Sequence, residues 1–209
     1  MDSQPRASTI WFTTAFLASA VIALTIGGCA ALRPASGDRA ATAALGPRTA
    51  AAAFTASGRV AARITGDSTR GFSGGFSWVH RPSGDTIELL TPLGQIAARM
   101  NLTAAGATIE LSDGTRTTTA DPEGFLSESF GIPLPLSALP NWLQGVPLPG
   151  TPYRAEADAL GRPSTIWQNG WQIQYSDYSD GTPTANPTRL LLTQGNVDAR
   201  MIISEWSVQ

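Results

Sequence analysis

From Gly58 onwards, apolar residues recur at every second position in short runs that are separated by turn-forming residues. Such alternation places apolar side chains on one face of an extended chain and polar ones on the other, which is typical of half-buried strands. Val60, Ala62 and Ile64 form one such row, and another begins at Trp171. Roughly ten strands result, nearly all joined as hairpins. We predict a mainly β fold with a few short helices, in which one antiparallel sheet curls into an incomplete barrel.

Three turns set the expected pairing of neighbouring strands. Asn169-Gly170 is the strongest two-residue hairpin signal in the chain, and Asp113-Gly114 also predicts a type I′ turn. The third is Thr91-Pro92-Leu93-Gly94, in which Pro92 suits the second position of a type I turn and glycine suits the fourth. Leu93 is unusual because turn tips normally carry small or polar residues. Its side chain needs an apolar environment, either in the core of this domain or in a membrane.

Three short helices are predicted. The first covers residues 47–54, because it begins with proline and continues through an alanine run. Asp121 can cap a second helix that ends at Gly131, and Ser137 can cap a third that ends at Gly145. The last two helices interrupt the sequence of strands.

The first 28 residues have the organisation of a bacterial signal peptide. An apolar segment over residues 10–26 follows an amino terminus with one basic residue, and the segment ends Gly27-Gly28-Cys29. This ending resembles the lipobox at which lipoprotein precursors are acylated and cleaved. We predict that Cys29 carries the lipid, since two or three acyl chains form a stable anchor. The alternative is an ordinary transmembrane anchor that is followed by a cysteine without a role.

This interpretation divides the chain into three parts. Residues 1–28 are the signal peptide, residues 29–46 are a lipidated amino terminus with a flexible tether rich in alanine, glycine and proline, and residues 47–209 are the folded domain. Ala30 follows the cysteine, whereas aspartate there retains lipoproteins in the inner membrane where the sorting rules are known. The expected location is the outer membrane, on its periplasmic face.

Composition argues against several other functions. The net charge is −2 without a run of like charge, so nucleic acid is not an expected partner. His80 is the only histidine and is interpreted as a solvated turn residue, and Cys29 is the only cysteine. We therefore predict no catalytic residue, metal or cofactor. Two alternatives remain: a glycosidase that uses Glu88 and Glu110 as paired carboxylates, or a lipoprotein with only a scaffolding role.

Several segments together resemble the LolB family of outer-membrane lipoproteins. The likeness covers most of residues 54–206 and lies in these motifs: Gly58-Arg59, Gly75-Phe76-Ser77-Trp78, Leu90-Thr91-Pro92-Leu93-Gly94, Gly131-Ile132-Pro133-Leu134-Pro135-Leu136, Asn141-Trp142-Leu143-Gln144-Gly145, Gln168-Asn169-Gly170-Trp171 and Trp206. The resemblance implies an unclosed barrel with a helical lid over an apolar cavity. It further implies a monomeric receptor that accepts acylated lipoprotein cargo from the periplasmic carrier LolA and inserts it into the outer membrane. No phosphate-binding glycine loop is present in the sequence, so this transfer is expected to need no ATP.

The resemblance also suggests where lipid would be bound. Leu93 is expected to enter the membrane, and seven aromatic residues are expected to line the cavity: Phe72, Phe76, Trp78, Trp142, Trp167, Trp171 and Trp206. Aromatic rings at strand spacing also fill ordinary cores, and this alternative stays open for each of them.

Overall fold

The computed structural model of the chain describes residues 44–131 and 133–208. The predicted signal peptide, the acylation site Cys29 and most of the predicted tether lie outside the described residues. Residues 39–209 group into one compact unit, which contains every described strand, both described helices and the whole apolar core.

Eleven strands and two helices make up the described part of the chain. In chain order they are β1 (Phe54–Ile64), β2 (Asp67–Arg81), β3 (Gly84–Leu90), β4 (Ile96–Thr103), β5 (Gly106–Leu111), β6 (Arg116–Thr119), α1 (Pro122–Phe130), α2 (Leu139–Leu143), β7 (Tyr153–Ala157), β8 (Pro163–Gln168), β9 (Trp171–Tyr178), β10 (Pro187–Gln194) and β11 (Val197–Val208). Neither helix is long and apolar enough to cross a membrane.

The strands form a single antiparallel sheet in the order β6-β5-β4-β3-β2-β1-β11-β10-β9-β8-β7. Two meanders run outwards from the central pair β1 and β11, which joins the two ends of the domain. The edge strands β6 and β7 do not pair with each other, so the sheet is not closed. The segment with both helices connects these two edges. The prediction of a mainly β fold with an incomplete antiparallel barrel is confirmed.

Three hairpins use the same compact turn. The first residues of these turns are Thr91, Leu111 and Asp158. The carbonyl of each accepts a hydrogen bond from the amide of a glycine three residues later, and the amide of each donates to the carbonyl of the residue four positions later. This is a type I turn whose glycine occupies the left-handed region. The prediction of a type I′ turn at Asp113-Gly114 is therefore wrong, because only the glycine has a positive φ. The prediction of a two-residue hairpin is confirmed at Asn169-Gly170, where φ angles of 53° and 77° are those of a type I′ turn.

The first predicted helix is absent, and residues 44–53 have an irregular course. The Ala51 amide donates to Gln144 Oε1 at 2.7 Å, and Gln144 Nε2 donates to the Ala51 carbonyl at 3.3 Å. Both backbone groups are therefore committed to a distant side chain instead of to a helical neighbour. The tertiary contact overrides the local preference of an alanine run.

The other two helices form where they were predicted, with one correction. Asp121 Oδ1 accepts from the Gly124 amide at 2.8 Å, and Gly131 ends α1 with a φ of 65°. Ser137 does not cap α2, whose first residue is preceded by Ala138 without a side-chain cap. The Ser137 amide and hydroxyl instead donate to Glu123 Oε1 at 3.1 and 3.0 Å, and this links the approach to α2 with α1.

The two helices contribute very differently to the core on the inner face of the sheet. In α2, the side chains of Leu139, Trp142 and Leu143 are buried. In α1, only Leu126 is buried, and Phe125 and Phe130 are half-buried against the cluster. The inner face is thus covered unevenly, tightly by α2 and more loosely by α1.

Candidate functional site: an apolar cavity and the Leu93 turn

A small cavity lies between the sheet and the helical segment. Its volume is about 40 Å³, and every lining side chain is apolar. The sheet contributes Val60, Phe76, Trp78, Ile87, Leu89, Met100 and Met201, and the roof contributes Leu126, Leu134, Leu136 and Leu139. A space of this kind stays dry, because water needs polar partners that the lining does not offer.

The strand register explains how the sheet side of the cavity forms. Phe76 pairs with Leu89, Trp78 pairs with Ile87, and Ile87 pairs in turn with Met100. These residues occupy the same face at neighbouring levels of β2, β3 and β4, as strand alternation requires. The floor is therefore a continuous apolar surface built from three consecutive hairpin strands together with β1 and β11.

The roof comes from α1 and from the extended segment that follows it. Leu134 and Leu136 alternate with Pro133 and Pro135. Proline favours an extended conformation of the residue before it, so the two leucines lie on one side of the chain. Both leucine side chains are buried and face the cavity.

Of the seven aromatic residues predicted to line the cavity, the structure places Phe76 and Trp78 in its wall. Trp142 and Trp171 are buried elsewhere in the core, with their ring centroids 6.5 Å apart. Phe72 packs edge-on against Phe130 of α1 at 6.0 Å.

Trp206 lies away from the cavity lining. It packs against Phe54 at 5.4 Å and donates from its indole nitrogen to the Pro187 carbonyl at 2.9 Å. Core packing therefore describes Trp142, Trp171 and Trp206 better than cavity lining does.

The prediction for Trp167 needs a correction. Its neighbours Ile166 and Gln168 are buried on the inner face, so strand alternation turns Trp167 to the outer face. There the guanidinium of Arg154 lies 3.7 Å from the centroid of the indole ring. This is a cation–π contact on the exterior of the sheet, and Trp167 does not line the cavity.

Sequence reasoning favoured aromatic residues and missed most of the lining, which is aliphatic or methionine. The missed residues are Val60, Ile87, Leu89, Met100, Leu126, Leu134, Leu136, Leu139 and Met201. Their strand alternation was visible, but alternation does not separate core from cavity. The useful signal was the Leu134-Pro135-Leu136 segment, whose spacing places two leucines side by side over the sheet.

The Leu93 side chain is 89% exposed at the tip of the β3–β4 hairpin. The turn is well defined, because the Gly94 amide donates to the Thr91 carbonyl at 2.9 Å and the Thr91 amide donates to the Gln95 carbonyl at 2.7 Å. The alternative in which Leu93 folds back onto the core is therefore contradicted. A large aliphatic side chain is held in solvent by an ordered turn.

The helix α2 is fixed by a buried network of hydrogen bonds. The Trp142 indole nitrogen donates to Gln168 Oε1 at 2.8 Å, and the Tyr175 hydroxyl donates to the Trp142 carbonyl at 2.9 Å. Gln168 also accepts from the Leu148 amide at 2.8 Å and donates to the Leu148 and Thr151 carbonyls. Burial of the Tyr175 phenol raises its pKa well above the usual value.

A second set of bonds joins the start of the domain to α2. Arg48 Nε donates to the Gln144 carbonyl at 2.7 Å, and its other nitrogens donate to the carbonyls of Pro183, Thr184 and Ala185. Burial lowers the pKa of this guanidinium. Arg48 therefore bridges the end of α2 and the loop between β9 and β10 by donating hydrogen bonds to carbonyls of both.

The carboxylates proposed for a glycosidase are arranged as ion pairs. Glu88 contacts Arg99 at 2.8 Å, and Glu110 contacts Arg116 at 2.8 Å. The hydrogen bond from Arg116 lowers the pKa of Glu110, which is opposite to the change that a general acid needs. Arg99 pairs with both glutamates in the strand register, so an arginine lies between the two carboxylates.

His80 also differs from its predicted role as a solvated turn residue. It belongs to β2, is half-buried, and its Nδ1 lies 2.6 Å from Asp85 Oδ1. The same carboxylate oxygen accepts from the Trp78 indole nitrogen at 2.7 Å. The histidine thus belongs to a packed polar contact beside the cavity wall. Within residues 44–131 and 133–208, no three metal-ligating side chains lie close enough to hold an ion.

Comparison with known structures gives likenesses of low sequence identity. A LolA superfamily protein from Nitrosomonas europaea is 8% identical, with a TM-score of 0.47 over 78% of this chain and 88% of that chain. A DUF1329 family protein from Desulfovibrio piger is 7% identical, also with a TM-score of 0.47, over 76% of this chain and 86% of that chain.

Comparison of the sequence with known proteins is more informative. The outer-membrane lipoprotein LolB of Azoarcus sp. is 37% identical over 161 residues, which are 77% of this chain and 81% of that protein. Its counterpart in Ralstonia nicotianae is 37% identical over 74% of this chain and 73% of that protein. The family model described as outer membrane lipoprotein LolB matches residues 52–206, which contain all strands and both helices apart from the last residues of β11. The chain therefore belongs to the LolB family of outer-membrane lipoproteins.

Proposed function

We propose that this protein is a lipid-anchored receptor that takes the acyl chains of a lipoprotein into the cavity beneath α1 and releases them into the outer membrane. The observation that carries the proposal is the wholly apolar cavity, which lies under a loosely held helix. An apolar ligand gains free energy from such a lining without requiring any polar group to be satisfied. The proposed process is binding and transfer, and it requires no covalent chemistry.

The cavity must enlarge before it can hold an acyl chain. At about 40 Å³ it has room for only about one to three water-sized groups. The roof residues Leu126, Leu134 and Leu136 would have to move away from the sheet. Acyl chains would then replace leucine side chains against the same apolar floor, so the floor remains covered in both states.

The cargo is proposed to come from the periplasmic carrier LolA without ATP. Transfer would be driven by a difference in affinity, because a ligand distributes between two sites according to their relative binding free energies. The proposal therefore requires that an acylated peptide binds this protein more tightly than it binds the carrier. Tighter binding by the carrier would contradict it.

A photocrosslinking experiment tests the cavity directly. A lipoprotein with a diazirine in an acyl chain is loaded onto the carrier, mixed with this protein and irradiated. We expect crosslinks to cavity residues such as Met100, Met201 and Leu126, and none to the outer-face residue Trp167. Crosslinks spread over the exterior would contradict binding in the cavity.

Leu93 is proposed to enter the inner leaflet of the outer membrane and bring the cavity close to the lipid. Burial of one leucine yields about 1.5 to 3 kcal/mol, which is too little to anchor the protein but enough to orient it. Leu93→Glu should accept cargo and unfold at an unchanged temperature, while delivery to vesicles is lost. Unimpaired delivery by this variant would contradict the membrane role.

Cys29 is proposed to carry the acyl anchor. Mass spectrometry of the mature amino terminus should show an acylated cysteine as the first residue. Cys29→Ala should give either a protein released into the periplasm or one that keeps its leader. An unmodified Cys29 on membrane-bound protein would contradict the proposal.

The small size of the cavity favours one other candidate, a scaffolding lipoprotein with a permanently closed core. The photocrosslinking experiment separates the two functions. A scaffold would give no acyl crosslink to any cavity residue, whatever the amount of loaded carrier.

A further inference from the structure

A groove of about 660 Å³ lies on the outer face of the sheet, next to the Leu93 turn. One wall is the turn itself, through Thr91, Pro92 and Gly94. The other side contains Arg59, Arg200 and Ile202 of β1 and β11. This groove is separate from the apolar cavity, which lies on the inner face.

The strand register defines the floor of the groove. Arg59 pairs with Ile202 on one side and with Gly75 on the other, and Gly75 pairs with Leu90 at the start of the turn. Gly75 adds no side chain to this row, and a Cβ atom there would lie 3.3 Å from the Leu90 side chain. The missing side chain lets the Leu90 side chain pack closely over Gly75, between the turn and Arg59.

The two arginines of the groove are unlike most others in the protein. In the part of the chain that the structure describes, only Arg59, Arg81 and Arg200 form no ion pair, side-chain hydrogen bond or aromatic stack. Arg59 and Arg200 are diagonal neighbours across β1 and β11, so their Cα atoms are about 7 to 8 Å apart. Two exposed guanidinium groups without partners therefore share one groove.

The groove also contains hydroxyl groups and one acidic residue. Ser73, Ser77 and Ser204 lie around the arginines and can donate hydrogen bonds, whereas the Ser57 hydroxyl is already bonded within the groove. Glu205 is the acidic residue, and it accepts from the Ser57 hydroxyl at 3.1 Å. Guanidinium and hydroxyl donors together suit a phosphate group, and the two arginines outnumber the single carboxylate.

We propose that this groove binds the phosphate of an anionic phospholipid headgroup in the leaflet that Leu93 enters. The inference rests on the proposed membrane contact of Leu93. Two strand spacings separate Arg59 from the β3–β4 hairpin, which is about 10 Å. Along the strand direction, Arg59 is level with Leu90, which precedes the tip residue Leu93 by three positions. Because an apolar group that enters the interface is buried by about 5 to 10 Å, insertion of Leu93 brings the arginines towards the headgroups.

The exposed apolar residues of this face fit the same orientation. Ile202, which lies between Arg200 and Ser204 on β11, is 40% exposed, and Ile96 at the end of the turn is 38% exposed. Leu93 and Ile96 lie at the β3–β4 hairpin and Ile202 lies at the β11 end of the groove, so apolar groups are present on both sides of Arg59. A surface with this composition matches the boundary between headgroups and acyl chains.

Vesicle binding of residues 39–209 tests the proposal, since this unit contains the whole core and sheet. The vesicles consist of phosphatidylcholine alone or of equal parts phosphatidylcholine and phosphatidylglycerol. We expect the unchanged protein to bind the anionic vesicles more tightly. Each of Arg59→Gln and Arg200→Gln should reduce this preference about five-fold. Arg81→Gln removes the same charge from an unpaired arginine outside the groove, and should change binding by less than about two-fold.

The outcomes separate this inference from the proposed function. Normal binding of Leu93→Glu to both kinds of vesicle would contradict the membrane contact itself. Loss of binding in Leu93→Glu, with an unchanged lipid preference in the variant that carries both Arg59→Gln and Arg200→Gln, would overturn the headgroup site alone. If the same arginine variant showed reduced cargo transfer from the carrier but unchanged vesicle binding, the arginines would contact a protein partner. This result would also overturn the headgroup site.

A final comparison distinguishes a lipid headgroup from free phosphate. Titration of the protein with inorganic phosphate in the absence of vesicles should show only weak binding, because free phosphate lacks the apolar contact that Leu93 makes with the leaflet. Binding of inorganic phosphate as tight as the binding of anionic vesicles would indicate a site for free phosphate and would overturn the assignment to a lipid.

Discussion

The two helices that cover the inner face are held by different kinds of interaction. Around α2, buried side chains such as Gln168, Tyr175 and Gln144 make directional hydrogen bonds to the helix and its neighbours. Around α1, the contacts with the sheet are mainly apolar, with one hydrogen bond from Arg70 to the Ser127 carbonyl at 3.1 Å. The cavity lies at the apolar end of this roof.

The difference has a physical consequence for lipid binding. A buried hydrogen bond that is broken without replacement costs about 1 to 3 kcal/mol, whereas an apolar contact can be exchanged for an acyl chain at little cost. Displacing α1 exposes leucine and phenylalanine, which lipid can cover. Displacing α2 would leave several polar groups without partners. We therefore expect α2 to stay in place and α1 to move.

The largest expected effect concerns Gln168, which is 3% exposed and bonds four different groups. Gln168→Leu leaves the Trp142 indole nitrogen and the Leu148 amide without acceptors. We expect the free energy of unfolding to fall by at least about 3 kcal/mol, as measured by urea denaturation. Gln174→Leu on the exposed face of β9 is the matched control and should be nearly neutral. Equal effects of the two substitutions would show that the network around α2 is not important.

Hydrogen exchange compares the two helices without a mutation. The amides of Phe125 and Gly131 bond within α1, and those of Trp142 and Gln144 bond within α2. We expect the α1 amides to exchange about 100-fold faster, because local opening needs less free energy where few buried polar contacts must break. Mass spectrometry or NMR after transfer into deuterated water provides the rates. Equal protection of both helices would contradict an opening that is confined to α1.

Arg48 tests how the start of the domain stabilises α2. Arg48→Met keeps much of the aliphatic stem but removes the donors to the Gln144 carbonyl and to the loop at residues 183–185. We expect a loss of about 2 kcal/mol in unfolding free energy. Arg81→Met, at an exposed arginine without such bonds, should stay within about 0.5 kcal/mol of the unchanged protein. A negligible effect of Arg48→Met would mean that solvent replaces these bonds.

The smallest effect is expected from pH. Burial raises the pKa of the Tyr175 and Tyr178 phenols in the folded state, so only the neutral forms are well accommodated. Their contribution to stability is complete below the unfolded pKa of about 10 and is lost as the pH rises above it. Unfolding free energies at about pH 8 and about pH 11 should differ less in Tyr175→Phe than in the unchanged protein. At neutral pH this variant should lose about 1 kcal/mol with the bond to the Trp142 carbonyl. An unaltered alkaline loss in the variant would exclude Tyr175 as its source.

Much of the architecture was predictable because it depends on local patterns. Alternation with period two identified the strands, and Asp121 and Gly131 correctly marked the two ends of α1. Asn169-Gly170 predicted its turn because few residue pairs adopt two positive φ angles. These features follow from steric preferences and capping bonds within a few residues of the chain.

The errors arose where distant residues decide the conformation. The alanine run before Phe54 has a high helix propensity, but Gln144 binds its backbone instead. Ser137 has the identity and position of a capping residue, yet its amide and hydroxyl donate to the Glu123 carboxylate instead. Trp167 faces outwards because register and alternation assign it to the exterior, which the count of aromatic residues could not show.

The sequence by itself determined the strands, most turns, the helix α1 and the membership of a lipoprotein family, since each depends on residue identity at short spacing. Only the tertiary structure decided which residues line the cavity and that Leu93 is exposed. It also decided that Arg59 and Arg200 meet beside the Leu93 turn, although 140 positions separate them in the sequence of 209 residues. The reason is that β1 pairs with β11, and such a pairing between the two ends of the domain is not encoded in any local pattern.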